Sequence, residues 1–245
     1  MSWTVRNDCA SLCALLRVEA EVNTYLPKRV LVIAPHCDDE TYGMGGTILK
    51  LRAADVEVFC LVVVCGDLRF EHTGTVITRD QRMSEFGDVM RALGSQGTVL
   101  GFKNETRMDQ VPIADVVSAI ERVQDDFRAD TWYMIGPSFH QDHRVVFEAA
   151  QAAARPTRRC YPTQIFRYEL PTYSGNPREW NFTAHIYEDV TAYIEQKLTA
   201  CALYQSQARP SGMLSLDAIR RFAETRGFES QRGAAECFEV ARIIR

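Results

Sequence analysis

Short apolar runs alternate along the chain with segments whose apolar residues recur at helical spacing. The run 29–34 is rich in β-branched residues and lies between Pro27 and Pro35, as expected of a buried strand. A helix at 45–54 and a second apolar strand at 56–64 follow, which predicts a right-handed crossover between parallel strands. The alternation continues along the chain and predicts an α/β, Rossmann-like fold, a mostly parallel sheet flanked by helices.

The same two periodicities predict the remaining elements. An N-terminal helix is expected to cover the sheet. The predicted helices lie at 8–25, 78–93, 113–128, 142–154, 189–205 and 215–226, and the further strands at 98–100, 131–135, 164–168 and 184–187. The segment 236–244 fits either a helix or a strand. Neither a repeat nor a long linker interrupts the pattern, so residues 1–245 are assigned to one domain.

Three loops, at 66–77, 102–111 and 171–182, are longer than simple connectors require. Long loops in a compact domain often carry function, so these three are expected to wall a ligand crevice. Aromatic residues in and beside the last loop either stack on sugar faces or, as the default, pack the loop itself: Phe166, Tyr168, Tyr173 and Trp180.

Composition and charge argue against several classes of partner. A net charge of −4 offers no basic footprint for nucleic acid or an anionic membrane. No stretch approaches the ~20 apolar residues of a membrane-spanning helix, and no signal-peptide pattern is present at the N-terminus. The eight cysteines show no CxxC spacing, so a reducing, cytoplasmic location is predicted.

Two clusters of metal-ligating side chains each follow a predicted strand. The cluster at 36–40 contains one His and three carboxylates and comes after the strand at 29–34. The cluster at 140–143 contains two His and one Asp and comes after the strand at 131–135. Because ligands of open α/β sheets bind at the carboxyl ends of the strands, both clusters are expected at one sheet edge. Their joint occurrence favours a metal site.

Two imidazoles and one carboxylate form a common catalytic zinc set, since three protein ligands leave a position for water. His36 and Asp39 can share one ion from a loop, and His143 would join them from the neighbouring strand end. Asp38 diverges from Asp39 and is then free to act as general base. With zinc to activate water and polarise a carbonyl, amide hydrolysis is the expected reaction. Fe(II) suits the same ligands.

His140 and Asp142 are assigned supporting roles in this reaction. Protonated, His140 would stabilise an oxyanion or donate a proton to the leaving amine. Asp142 would orient an imidazole or raise its pKa. The alternative for Asp38, Asp39 and Asp142 is helix capping, because all three lie just before predicted helices.

Other reaction classes match the residues less well. The glycines at 43, 45 and 46 do not form GxGxxG and follow an acidic cluster that would repel a pyrophosphate, so helix–strand packing explains them better. No GxSxG nucleophile elbow is present. A metal-dependent phosphoesterase, another amidase and a non-catalytic metal-containing binding protein stay open as alternatives.

The two clusters resemble the signature motifs of the LmbE-like (PIG-L) family of zinc-dependent N-deacetylases. The motifs [AP]-H-P-D-D-E and H-x-D-H are matched by residues 34–40 and 140–143. The resemblance implies hydrolysis of an N-acyl group, with acetyl expected, on a small-molecule amino sugar or its conjugate. The implied roles are zinc ligands His36, Asp39 and His143, general base Asp38, oxyanion-stabilising His140 supported by Asp142, and a substrate-side position for Arg82. For Arg82, a helix-surface salt bridge is the alternative, and a homo-oligomer is left open.

The chain departs from the family pattern at a few positions. Cys37 stands where the family has Pro, and a plain replacement is expected, with metal ligation or oxidation as alternatives. Ser138 and Phe139 precede His140 in place of the Tyr-Gly of some relatives. These departures bear on the substrate more than on the ligand set.

Overall fold

A seven-stranded sheet forms the centre of the fold in the computed structural model, which describes residues 26–70, 74–172, 180–208 and 210–245. The strands are β1 (Arg29–Ala34), β2 (Glu57–Val64), β3 (Leu68–Phe70), β4 (Thr75–Ile77), β5 (Gln96–Phe102), β6 (Thr131–Ile135), β7 (Gln164–Tyr168), β8 (Ile186–Asp189) and β9 (Ala235–Ile243). The helices are α1 (Asp39–Ala53), α2 (Arg79–Ala92), α3 (Ile113–Phe127), α4 (Gln141–Ala153), α5 (Ile194–Leu203) and α6 (Leu216–Glu229).

The strand order in the sheet is β5-β2-β1-β6-β7-β9-β8. The first five strands pair in parallel, whereas β9 runs antiparallel to both β7 and β8. The predicted α/β fold with a mostly parallel sheet is therefore confirmed. The undecided segment at 236–244 lies in strand β9, and the predicted loop at 66–77 contains a small hairpin of β3 and β4.

Strand β1 lies in the middle of the sheet and is buried on both faces. Val30 and Val32 pack into one apolar cluster, while Leu31 and Ile33 pack into the other. Helices cover both faces of a parallel sheet, which explains why this strand is continuously apolar instead of alternating. The helix predicted at 8–25 lies outside the described residues, so the single domain of 1–245 stays a prediction. None of the helices within the described ranges combines the length and apolarity that a bilayer crossing requires.

Helix α1 begins at Asp39, six residues before the predicted start. The prediction missed these residues because the apolar positions at helical spacing begin only at Ile48. Its backbone leaves helical geometry at Met44 (φ −147°, ψ 25°). A Cβ at Gly43 would lie 2.4 Å from the Tyr168 ring, and one at Gly46 would lie 2.9 Å from Val190. The two glycines thus permit close packing of the helix on its neighbours, as the sequence predicted.

The helix predicted at 189–205 begins later, at Ile194. The preceding residues pair with β9 instead, and the side chain of Asp189 then closes a turn by accepting hydrogen bonds from Thr191 N (3.0 Å) and Thr191 Oγ1 (2.6 Å). An Asp side chain that bonds the backbone two residues later favours a turn over a helix.

Candidate metal centre

The two predicted clusters meet at the carboxyl ends of neighbouring strands. β1 and β6 pair in parallel, with Ile33 opposite Met134, so the loops that follow them lie side by side. His143 Nε2 lies 3.5 Å from Asp39 Oδ2, and His36 Nε2 lies 3.0 Å from Asp142 Oδ2. Residues more than a hundred positions apart therefore share one site.

His36, Asp39 and His143 form a compact donor set. Each offers one ligand atom, and these atoms all lie within 4.8 Å of one another. His36 Nδ1 is 3.2 Å from Asp39 Oδ2, and all three side chains are nearly buried. Two imidazoles and one carboxylate with one side facing a cavity fit a divalent ion that keeps an open coordination position.

The carboxylate of Asp142 fixes the ring of His36. Asp142 is fully buried and accepts hydrogen bonds from the backbone N–H groups of Thr106 (2.7 Å) and Met108 (3.0 Å), so its remaining contact with His36 Nε2 is that of an acceptor. His36 then donates from Nε2 and leaves Nδ1 as the ligand atom, the usual carboxylate–histidine–metal arrangement. Thr106 adopts a left-handed backbone (φ 66°), which is strained for a β-branched residue.

This placement differs from the expected support of His140 by Asp142. The Asp142 carboxylate contacts His36, while its backbone N–H donates to His140 Nδ1 (3.2 Å). His140, not Asp142, therefore caps helix α4. The capping alternative for the Asp142 side chain is wrong.

Ser138 holds the second imidazole. Its Oγ lies 2.9 Å from His143 Nδ1 and also accepts a hydrogen bond from His140 N (3.2 Å). A His143 that donates from Nδ1 to Ser138 presents Nε2 towards Asp39, as a metal ligand requires. Sequence reasoning noted Ser138 only as a departure from relatives, because a lone serine before a histidine carries no recognisable signal.

The electrostatics of the donor set favour a positive charge between the carboxylates. Burial opposes protonation of His36, but its hydrogen bonds to Asp142 and Asp39 outweigh that effect and raise its pKa to about 10. Burial disfavours the charged form of Asp39, yet His143 and His36 lower the pKa of Asp39 to about 2. Burial lowers the pKa of His143 to about 4, which keeps it neutral and able to ligate. A cation fits this environment.

Asp38 occupies the N-cap position of α1 without acting as a cap. Its backbone has φ 141° and ψ −34°, and its side chain makes no capping hydrogen bond. A non-glycine residue at such an angle is strained, and strain of this kind concentrates at functional sites. Burial and the adjacent Asp39 raise the pKa of Asp38 well above its ordinary value. The capping alternative is wrong for Asp38, and its carboxylate lines the cavity.

His140 also faces the cavity, in a form different from the expected imidazolium. Its Nδ1 accepts the backbone hydrogen bond from Asp142, so Nδ1 is unprotonated and Nε2 carries the proton. Burial and the neighbouring His36 lower its pKa. A neutral imidazole whose Nε2–H takes no part in the helix cap can donate a hydrogen bond to a developing oxyanion.

Arg82 lies in the wall of the same cavity, which has a volume of about 550 Å³. It is buried and forms an ion pair with Glu105, so the alternative of a helix-surface salt bridge is wrong. Glu105 also accepts a hydrogen bond from Gly66 N (2.9 Å). Burial opposes the charge of Arg82, but Glu105 and Asp38 raise its pKa. Sequence reasoning missed Glu105, a single carboxylate in a loop without a motif.

Cys37 is fully buried in the apolar core. A hydrogen bond with the thiol of Cys65 and, as the second largest cause, burial raise the pKa of Cys37 well above its ordinary value. A protonated thiol is a poor ligand, and the metal-binding groups found within the described ranges do not include Cys37. Its position supports the plain replacement of Pro.

The three predicted loops each contribute to the cavity wall, through Leu68, Glu105 and Thr172 among the described residues. The aromatic residues of the 166–182 region pack within the protein wherever the structure describes them, and stacking on a sugar stays a prediction. Phe166 and Tyr168 belong to the core, and Tyr173 lies outside the described residues. Trp180 instead packs against Phe139, which lines the cavity.

The chain was compared with known families and proteins. The family model of GlcNAc-PI de-N-acetylases (PIG-L) matches residues 31–154, slightly more than half of the chain. The chain belongs to this family. The matched region contains both clusters of the site. A relative from Escherichia coli K12, the uncharacterized deacetylase YaiS, is 27% identical over 188 residues, which cover 73% of this chain and 91% of the relative.

Two solved structures show that the fold is shared more widely than one chemistry. The N,N'-diacetylchitobiose deacetylase of Pyrococcus horikoshii matches with a TM-score of 0.69 and 21% identity, over 98% of this chain and 94% of that one. GalB, the 4-carboxy-2-hydroxymuconate hydratase of Pseudomonas putida, matches with a TM-score of 0.68 and 16% identity, over 89% and 98%. Similarity at this level establishes the fold, so the reaction has to be argued from the site.

Proposed function

We propose that this member of the PIG-L family is a metal-dependent N-deacetylase of a small-molecule amino sugar or amino-sugar conjugate. The observation that carries the proposal is the convergence of His36, Asp39 and His143 beside an uncapped, strained Asp38. A metal site that served only stability would not require that carboxylate. Zinc is the proposed metal, with Fe(II) as the alternative for the same ligands, and the proposed location is the cytoplasm.

The three ligands would hold a divalent ion, which lowers the pKa of water and polarises an acyl carbonyl. Asp38 takes the proton from the attacking water, since its carboxylate faces the cavity and makes no capping hydrogen bond. Asp142 keeps the His36 ring in the ligating orientation. Ser138 does the same for His143.

His140 stabilises the negative charge that develops on the carbonyl oxygen, because its Nε2–H is free of the capping bond made by Nδ1. The proton that Asp38 accepts is available for the leaving amine, so water plus amide gives acetic acid plus amine. A final proton transfer between these products leaves acetate and the protonated amine. Arg82 is proposed to contact the polar groups of the substrate, supported by its position in the cavity wall beside Asp38.

The test combines metal analysis with an acetate-release assay. The full chain is purified, stripped with a chelator, reloaded with Zn²⁺ or Fe²⁺, and offered N-acetylglucosamine glycosides alongside phosphate esters. We expect acetate release only after reloading. His36→Ala and His143→Ala should abolish both metal retention and turnover, whereas His185→Ala should retain both, because the exposed His185 lies outside the cavity lining.

Two results would overturn the proposal. One is a chain that binds no divalent ion in a direct titration. The other is a metal-loaded chain that hydrolyses phosphate esters or hydrates unsaturated acids while leaving acyl amines intact.

A further inference from the structure

Phe139 presents an exposed aromatic ring in the wall of the catalytic cavity. It lies directly before His140 and is 62% exposed. A single exposed apolar side chain needs no functional explanation by itself, and Phe228 on α6 is exposed to an even greater extent, at 85%. The difference between the two lies in what surrounds Phe139.

The ring of Phe139 is held by a stack of two further side chains. Trp180 packs against it edge to face, with ring centroids 6.2 Å apart and planes at 78°. The guanidinium of Arg144 in turn lies over the Trp180 ring, 5.3 Å from its centroid. Edge-to-face aromatic pairs and cation–π contacts both have preferred geometries, so this stack restricts the orientation of the exposed ring.

The backbone beneath the ring is fixed as well. Arg144 Nη1 donates hydrogen bonds to the carbonyl oxygens of Ser138 (2.9 Å) and Phe139 (2.7 Å). Ser138 Oγ accepts from His140 N on the other side. The same arginine thus supports both the main chain at Phe139 and the indole that packs on its ring.

A rigid aromatic surface loses little conformational entropy when a ligand covers it, which makes it an efficient anchor. The cavity volume of about 550 Å³ lies within the range that encloses drug-sized ligands, so it has room for a ring beyond the N-acyl sugar. The acyl group must reach the buried ligands His36 and His143, whereas Phe139 remains open to solvent. A substituent that projects outward from the acylated sugar can therefore reach this ring.

We propose that Phe139, braced by Trp180 and Arg144, is the platform of a subsite for a ring-bearing substituent at C1 of the amino sugar. This inference rests on the proposed function and narrows its substrate class to conjugates that carry a second ring, sugar or aryl. Such a ring stacks its apolar face on Phe139, and the contact adds affinity without taking part in proton transfer. Phe139 is thus a determinant of specificity, separate from the reacting groups.

The test compares the phenyl and methyl glycosides of N-acetylglucosamine, which share the anomeric linkage and differ in the ring. For the metal-loaded protein we expect kcat/KM to be about 10-fold higher for the phenyl glycoside, the size of one good aromatic stack. Phe139→Ala should remove that preference by raising KM for the phenyl glycoside. The change should be in KM because the contact is made equally before and during the reaction. The kcat/KM for the methyl glycoside should change by less than about 2-fold, since this substrate has no ring to stack. Phe139→Trp should restore the preference, and Phe228→Ala should not alter it.

A binding measurement separates this inference from the proposed function. The deacetylated phenyl and methyl glucosaminides are titrated calorimetrically into metal-loaded wild type and Phe139→Ala, which requires no turnover. A phenyl preference that disappears in Phe139→Ala supports the subsite even if acetate release fails. Equal binding of the two glycosides by the wild type overturns the subsite, and so does a Phe139→Ala variant that weakens both glycosides alike, whatever the assay of activity gives.

Discussion

A buried carboxylate lies at the start of helix α1, and another lies at the break inside it. The two carboxylates differ in the hydrogen bonds that they accept. At the interior break near Met44, Glu236 accepts hydrogen bonds from Gly46 N (2.9 Å), Thr47 N (2.6 Å) and Lys197 Nζ (2.7 Å). At the true start of the helix, Asp38 has a strained backbone and makes no capping bond. One acid stabilises the helix, and the other lies beside the candidate donor set without a capping bond.

Burial does not distinguish these two acids, because Asp38 and Glu236 are both nearly inaccessible to solvent. Hydrogen-bond satisfaction does. A buried charge normally needs a partner and several donors to offset its desolvation, as Glu236 has. Asp38 departs from that rule, and such local departures are expected where function outweighs stability.

The largest effect that tests the comparison is expected from Asp38→Asn. Asparagine keeps the shape and removes the base, so kcat/KM for acetate release should fall by at least ~100-fold while the bound metal is retained. Elemental analysis and the acetate assay measure the two quantities. Asp115→Asn, an exposed acid in the first turn of α3, is the matched control and should be unaffected. Near-wild-type turnover in Asp38→Asn would remove this residue from the mechanism.

An effect on stability, with little effect on turnover, is expected from Glu236→Gln. Lys197 would lose its buried counter-charge, which should lower the free energy of unfolding by about 3 kcal/mol in a denaturant titration. Turnover per folded, metal-loaded molecule should change much less. Combining Glu236→Gln with Lys197→Met should recover part of the loss, since the unpaired charge is then absent. If Glu236→Gln left stability unchanged but abolished turnover, Glu236 would not be a purely stabilising acid, and the contrast with Asp38 would be wrong.

The smallest effect concerns the strain at Asp38 itself. Asp38→Gly and Asp38→Ala both delete the carboxylate, but only glycine adopts φ 141° without strain. The Gly variant should therefore unfold at a higher denaturant concentration than the Ala variant. The expected difference in the free energy of unfolding is about 1 kcal/mol, which is the strain relieved minus the greater conformational entropy of glycine in the unfolded chain. An Ala variant as stable as the Gly variant would show that the backbone at this position stores no strain.

Much of the fold was predictable because its signals are local. The strand at Arg29–Ala34 is bounded by prolines and uniformly apolar, and the helices near residues 79–92 and 113–127 have clear apolar spacing. The segment at 236–244 could not be assigned, because β9 is continuously buried in its first half and only partly buried in its second, so neither periodicity holds over its whole length. The early start of α1 was missed, because the residues between Asp39 and Gly45 carry no apolar pattern at helical spacing.

The site was predictable to the extent that metal-ligating residues are rare and cluster in sequence. His36, Asp39 and His143 were placed together on that basis, and the structure brings them together. The partner of Asp142 could not be predicted, because it depends on how the 104–108 segment folds over the site. Phe139 was noted only as a departure from relatives, since exposure and stacking are properties of the assembled structure.

The bonds from Thr106 N and Met108 N to Asp142 have a consequence for redesign of this protein. Both are made by main-chain amides, so they do not depend on the exposed side chains of the connection after β5, such as Arg107 and Asp109, whereas a change in its length would tilt the imidazole of His36. We therefore expect that shortening or extending this connection to accept a new ligand would first weaken the affinity for the proposed metal ion, before it changes the selectivity for substrates. Libraries that vary composition at constant spacing avoid that penalty.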